Sequence, residues 1–422
     1  MPEGDMQHLN QAFNGPFKPS RYSLRQHRNG IRMHLVFISS LVPVTNPTSG
    51  YDIANRVIVD AIRLLGHKVS VLGFLQPGQK PAHPGGTRLL GRLEVTNARV
   101  GKLQKALWLK DAFVHGEPVS VAKMHAVTAS DIRAALAELG PVDGLVLNSV
   151  QLPGAFKDVF AAYPSVFIAH NVEADSASDN AANAANPATR FLFRRDSRLL
   201  AELESGLCAM SGHVFTLAEP DRAALGVADD DRSTVLPLVT SVTPPHSSSP
   251  RSPVYDAGMI GTWSWAANRS GLDWFLEEIT PRLPGDFRIA IAGGIGSDLP
   301  GAPDNVAFLG RVPDARAFVQ SCRVVPLISR TGTGVQLKTI ETFEMGLPSV
   351  ATASALRGIS AQPENCAVAD DPEAFARSLI EMVGRSRAGE PLDRDGRAFH
   401  ALQLDGLKTA LAHGLERGFQ HG

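Results

Sequence analysis

The segment Val324–Thr352, VVPLISRTGTGVQLKTIETFEMGLPSVAT, limits what this chain can fold into more than any other stretch. It predicts a buried strand, a turn holding Gly332 and Gly334, a helix beginning near Val335, and a second strand after Gly346-Leu347-Pro348. Such a turn gathers unpaired backbone N–H groups at the positive end of a helix dipole, which suits a phosphate. Residues three or four apart share a helix face, so Gly334, Lys338, Glu341 and Met345 form one stripe. Lys338 can answer an anion's charge, and Glu341 can accept hydrogen bonds from vicinal hydroxyls such as those of a ribose. A plainer reading has no ligand at the turn and leaves Lys338 and Glu341 as a solvated pair worth roughly 0.2–0.5 kcal/mol.

The rest of the chain extends this strand-helix alternation. Arg32–Ser39, Val69–Phe74, Gly144–Asn148, Ser165–Ala169 and Val214–Thr216 read as short buried strands. Helices are expected over Tyr51–Leu65, Ser130–Leu139 and Arg190–Ser211, with Ser49 as the cap of the first. Pro237–Pro253, rich in proline and serine, reads as a linker whose composition does not pack. Beyond it the alternation restarts, with strands at Ala257–Ile260, Arg288–Ala292 and Val306–Leu309 and helices at Gly271–Thr280 and Pro372–Val383. Asp405–Gly418 is an amphipathic helix. This order predicts an α/β protein, and 422 residues are too many for one ordinary core. The expected division is a flexible tail over 1–30, a Rossmann-like domain over 31–240, a linker over 241–253, a second Rossmann-like domain over 254–385 and a helical segment over 386–422.

Composition narrows the chemistry. A net charge of −1 offers no electrostatic basis for binding nucleic acid. Cys208, Cys322 and Cys366 lack metal-ligand spacing, and the apolar neighbours of Cys208 and Cys322 predict buried thiols, consistent with a reducing compartment. Met1–Gly30 has no apolar export core, and no window reaches the 18 or so apolar residues of a membrane span, so a cytoplasmic location is expected. There is no G-x-S-x-G elbow, no H-E-x-x-H and no Walker A lysine. Asp229-Asp230-Asp231 reads as solvated charge, and neither a metal nor a bound cofactor is expected. Gly101–Val114 mixes Lys102, Lys105 and Lys110 with Leu103, Leu107, Trp108 and Phe113. It reads as a core-facing helix with solvated lysines; the weighed alternative is a basic helix on anionic lipid, together with Phe191–Arg198.

Four strings carry a resemblance to a known family. In the first, Gly332, Gly334, Lys338, Glu341, Gly346, Pro348, Val350, Ala351 and Thr352 match positions of the run G-x-G-x-x-x-K-x-x-E-A-x-A-x-G-x-P-V-V-A-T. The second is Ala169-His170-Asn171-Val172-Glu173 at the end of an apolar run. The third is Gly261-Thr262-Trp263-Ser264-Trp265 with Asn268, then Trp274-Phe275 and Ile289–Gly294; the fourth is Asn305–Val312. Together they resemble the retaining glycosyltransferases of the GT-B fold, family 4 in particular, over about residues 31–380.

The resemblance implies two Rossmann-like domains facing a central cleft, with a terminal helix crossing back to the first. It implies transfer of a sugar from a nucleotide diphosphate-sugar to a carbohydrate or lipid-linked acceptor, in surface or extracellular polysaccharide building. Peripheral membrane contact is then expected where the acceptor is lipid-linked. Carried over by position, His170, Arg330 and Lys338 would act in catalysis. Gly261, Asn268, Val312, Gly332, Thr333, Gly334, Val335 and Glu341 would hold the donor, and Gly50 and Glu173 the acceptor. Thr333 stands where the family's E-x7-E pattern has its first glutamate, which leaves the donor sugar open. That departure keeps a second reading alive, a GT-B protein that binds sugar or nucleotide without catalysis beside an active transferase.

Overall fold

Runs such as LVFIS and GLVLN have no polar alternation, so they form strands buried on both faces, as parallel sheets between helices require. The computed structural model describes residues 32–95, 99–245, 251–294 and 303–420. The expected tail over 1–30 and residues 246–250 of the expected linker lie outside them.

The first sheet holds β1 (His34–Leu41), β2 (Lys68–Leu75), β3 (Thr87–Arg92), β4 (Gly144–Asn148), β5 (Ser165–Ala169), β6 (His213–Thr216) and β7 (Ser233–Val235). All pairings are parallel, in the order β3-β2-β1-β4-β5-β6-β7; Phe37 of β1, for instance, sits between Val71 and Val146. The second sheet holds β8 (Tyr255–Thr262), β9 (Ile289–Gly294), β10 (Val306–Gly310), β11 (Cys322–Leu327), β12 (Ser349–Ala351) and β13 (Cys366–Val368), parallel in the order β10-β9-β8-β11-β12-β13. Strand order reverses between β1 and β4 and again between β8 and β11. Open α/β sheets bind ligands beyond the strands' carboxyl ends at such reversals.

Helices cover the sheets: α1 (Gly50–Leu64), α2 (Lys102–His115), α3 (Ala129–Glu138), α4 (Glu173–Ala182), α5 (Pro187–Met210) and α6 (Glu219–Ala224), then α7 (Ala266–Trp274), α8 (Ala315–Gln320), α9 (Leu337–Glu344), α10 (Pro372–Arg387) and α11 (Gly396–Phe419). Ser49 caps α1 in a reciprocal box with Asp52, and Thr128 caps α3 with Asp131. The terminal helix α11 lies flush on β5 and β6. A Cβ on Gly414 would sit 2.3 Å from the Phe215 ring, so only glycine allows that approach.

The structure departs from the sequence reading at weakly patterned places. β3 is a half-exposed edge strand with two arginines, so it shows no apolar run. α4 (EADSASDNAA) has almost no large apolar residues, and its first amides are bound by the Glu204 carboxylate of α5 at 2.6 and 3.2 Å. α9 begins at Leu337, after an extended Gln336, rather than near Val335.

The proline-rich stretch also packs at its start, against expectation. Leu236, Leu238 and Val239 are buried, Thr240 donates to the Glu344 carboxylate, and Gln403 donates to the Leu238 carbonyl at 3.1 Å. Side chains of α9 and α11 thus satisfy backbone groups at Leu238 and Thr240. The expected core-facing role of α2 is likewise overturned: only Trp108 and Ala112 of that helix are buried.

Candidate functional site

At the β8–β11 reversal lies a small pocket, partly open to solvent, lined by Ile260, Trp263, Leu327, Lys338, Glu341 and Met345 among others. The helical stripe read from the sequence therefore faces a recess rather than bulk water. Lys338 is half-buried, and its Nζ donates to Asn268 Oδ1 at 3.4 Å and lies 5.8 Å from the centre of the Trp263 ring. It forms no ion pair among the described residues, and burial pushes its ammonium down to about 8. Asn268 is held in turn by donating to the Thr262 carbonyl at 3.1 Å. Trp263 is a packing residue, buried, with its indole N–H on the Ala292 carbonyl at 2.8 Å. Burial raises the Glu341 carboxyl above its usual range, partly opposed by Arg316.

Ahead of Lys338 runs the glycine turn, with Gly332 at φ 96° and Gly334 at φ 72°. Gly334 is gripped at both ends of its residue. Its N–H donates to Asp221 Oδ2 at 2.9 Å, and its carbonyl accepts from Arg357 Nε at 3.2 Å. Arg357 also donates to the Thr331 carbonyl at 3.4 Å and to Ser329 Oγ at 3.5 Å. Asp221 belongs to α6, which follows β6 of the first sheet, so its carboxylate crosses to the second sheet's turn. Burial pushes that carboxyl up to about 6, against the opposing pull of the Gly334 amide and Arg357. The expectation that the turn's amides all stand open is thus corrected at Gly334, while those of Val335 to Lys338 have no partner among the described residues.

The turn touches the carboxyl end of β5. Val172 N–H donates to Thr333 Oγ1 at 3.1 Å, and a Cβ on Gly334 would stand 2.5 Å from the His170 carbonyl. With that clash added to its positive φ, Gly334 tolerates no side chain. His170 itself is buried, 5.1 Å from the Tyr51 ring centre, and its Nε2 lies 2.8 Å from Asn148 Oδ1. Asn148 uses its Nδ2 to donate to Asn55 Oδ1 at 2.9 Å and Ser39 Oγ at 3.2 Å. Its Oδ1 is therefore an acceptor, and His170 carries its proton on Nε2. Burial pushes His170 down to about 4, so the ring is neutral at ordinary pH and Nδ1 is left as an acceptor.

The remaining sequence-named residues are dispersed around this junction. Gly50 opens α1 and faces the second domain, where a Cβ on it would stand 3.3 Å from Leu337 Cδ1. Glu173 is half-buried, its carboxyl raised by burial although Gln151 donates to it at 2.9 Å. Gly261 is the penultimate residue of β8, its carbonyl packed beneath Gly293, and Val312 follows β10, half-buried against the core. Val335 packs under Gly358. Arg330 is exposed and turns elsewhere: its guanidinium lies 4.6 Å over the Trp274 ring and donates to the Asp370 carbonyl at 3.4 Å. The guanidinium at the glycine turn is that of Arg357. Sequence reasoning missed Arg357, Asp221 and Asn148, although each lies at or just beyond a strand's carboxyl end, the same signal that singled out His170.

Residues 255–385 match the family described as Glycosyl transferases group 1. No curated protein matches the chain by sequence. Among solved structures, the chain is similar to the sucrose-phosphate synthase of Thermosynechococcus elongatus, at 14% identity and a TM-score of 0.62 over 93% of this chain and 100% of that one. It is similar to TarM at 11% identity and a TM-score of 0.58, over 92% of this chain and 98% of that one. It is also similar to HepE of Anabaena, solved with UDP and glucose, at 11% identity and a TM-score of 0.55, over 91% of this chain and 100% of that one. The chain has the GT-B fold, two parallel Rossmann-like sheets meeting at their carboxyl ends, and its residues 255–385 are similar to the group 1 glycosyl transferases.

Proposed function

We propose that this glycosyltransferase moves a sugar from a nucleotide diphosphate-sugar to a carbohydrate or lipid-linked acceptor with retention, in surface or extracellular polysaccharide building. One observation carries the donor reading: Lys338, half-buried and without a carboxylate, stands beside four unpartnered amides at the β8–β11 reversal. A desolvated cation next to a helix N-terminus favours an anion, and a diphosphate supplies one. Glu341, one turn deeper, would accept the ribose hydroxyls. As the bond to the sugar breaks, negative charge grows on the departing diphosphate, and Lys338 with the α9 amides offsets it. His170, neutral and held by Asn148, would orient the donor sugar through Nδ1 rather than attack it. HepE, similar in fold, was solved with UDP and glucose, which supports a nucleotide-sugar donor here.

Retention and the polysaccharide role rest on the resemblance of the glycine turn and the His170 string. The reaction is proposed to need no metal and to take place in the cytoplasm. Asp230 is engaged by Arg232 at 2.7 Å and Asp231 by Arg417, so two of the three acidic residues are held in surface ion pairs. Two features favour the alternative of a GT-B protein that binds without catalysis: Thr333 replaces the family's glutamate, and Asp221 occupies the Gly334 amide.

Calorimetry with uridine and guanosine diphosphates, joined to turnover of labelled nucleotide sugars with and without a chelator, tests both readings. Wild type should bind one diphosphate and release it from the matching sugar, and Glu341→Ala should weaken binding about tenfold, the loss of one or two hydrogen bonds to a charged group. Unchanged binding in the variant ends the ribose role. Binding without any turnover selects the non-catalytic reading.

A further inference from the structure

Helix α2 presents its apolar stripe away from the protein. Its buried side consists of Trp108 and Ala112 alone. At 3.6 residues per turn, Leu103, Ala106, Leu107, Lys110 and Val114 lie on the opposite side. Leu103 is 76% exposed, Leu107 43% and Val114 69%, and Phe113 at the stripe's edge is 52% exposed. The face continues onto α5. Arg195 reaches across to donate to the Ala112 and Glu117 carbonyls at 2.7 and 2.9 Å, with its guanidinium 4.6 Å over the Phe113 ring. One turn earlier on α5, Phe191 is 64% exposed. Contiguous exposed apolar surface of this kind marks an interaction site.

Its surroundings say what covers it. Lys102, Lys105, Lys110 and Arg194 are exposed along the same two helices. Of the nearby carboxylates, Asp196 pairs with Arg195 at 2.9 Å and Glu117 with His125 at 2.6 Å, while the half-buried Asp111 on α2 leaves the basic side chains in excess. The position of Lys110 discriminates between partners. In a protein groove its ammonium would be buried in the middle of an apolar seam with nothing opposite. On a bilayer, its stem lies along the acyl boundary and the charge reaches the headgroups. We infer that α2 and the start of α5 form a docking face for an anionic lipid surface, with Leu103, Leu107, Val114 and Phe191 entering the interface and the basic side chains meeting the headgroups.

This inference stands apart from the donor site and is tested without turnover. The full chain is sedimented with vesicles of phosphatidylcholine alone or mixed with phosphatidylglycerol. It should bind the mixed vesicles, release at high salt, and bind phosphatidylcholine poorly. Leu107→Asp and Phe191→Asp should each lower the bound fraction about tenfold, as removal of one buried large apolar side chain implies. The double variant K102E and K105E should do so by a similar factor through headgroup repulsion. All these positions are exposed, so Tm should stay near the wild-type value and show that the variants fold. Absence of binding to mixed vesicles, or equal binding by the variants, overturns the proposal. A solution dimer that Leu107→Asp dissociates, with no vesicle binding, also overturns it and assigns the face to a second copy of this chain.

Discussion

The carboxyl ends of the two sheets solve opposite problems. Beyond β4 and β5, Tyr51, Ser39, Asn55, Asn148 and His170 satisfy one another in a buried, neutral network. Beyond β8 and β11, Lys338 keeps a charge in a recess, met by the Asn268 amide oxygen and the Trp263 ring rather than by a carboxylate among the described residues. A closed network fixes geometry, because each member's rotamer depends on the next. An unpaired buried cation instead leaves binding energy unspent until an anion arrives. The difference assigns the first sheet to orientation and the second to charge.

The largest expected effect breaks the charged side. Lys338→Met should lower donor turnover about a hundredfold, the usual scale for losing one stabilising group at a developing oxyanion. Turnover within threefold of wild type would mean that the recess is not the leaving-group site. Arg357→Ala should weaken nucleoside diphosphate binding about tenfold by releasing the Gly334, Thr331 and Ser329 contacts that shape the turn, read by calorimetry. Arg330→Ala is its control, with binding changed less than twofold and stability lowered by roughly 0.5–1 kcal/mol from the lost stacking on Trp274.

pH sharpens the comparison from both sides. A bound diphosphate raises the Lys338 ammonium above its free value of about 8, so affinity is full below that pH and falls as pH rises through it. The loss should approach about tenfold per pH unit, and Lys338→Met should lack this step. His170, held down to about 4 by burial, binds no proton in that range. Its ring resonances should therefore not move between pH 5.5 and 8, the smallest effect of the series. A midpoint near the ordinary histidine value of about 6.5 would mean that the network is open to water.

Much of this junction was legible in the chain. The GxG turn, Lys338 and Glu341 follow a helical spacing that survives folding, because local periodicity alone decides which side of α9 they share. His170 was legible because it ends an apolar run, which in a parallel sheet points to the ligand side. The edge strand β3, the small-residue helix α4 and the packed start of the proline-rich stretch were not, since each is held by distant partners such as Glu204, Glu344 and Gln403. The outward stripe of α2 was misread for a related reason. Amphipathicity says that a helix has an apolar side, not which neighbour, if any, covers it.

What the sequence determined by itself is the alternation of strand and helix, the parallel sheets it entails, and the side chains that line one helix face. Periodicity and turn chemistry act over a few residues and are written in order along the chain. The tertiary structure alone decided which arginine serves the glycine turn. Arg330 and Arg357 both lie within a few residues of a strand's end, and a long guanidinium side chain can swing to either Trp274 or Gly334. Only the approach of Asp221 from the other sheet supplies the counter-charge that draws Arg357 inward.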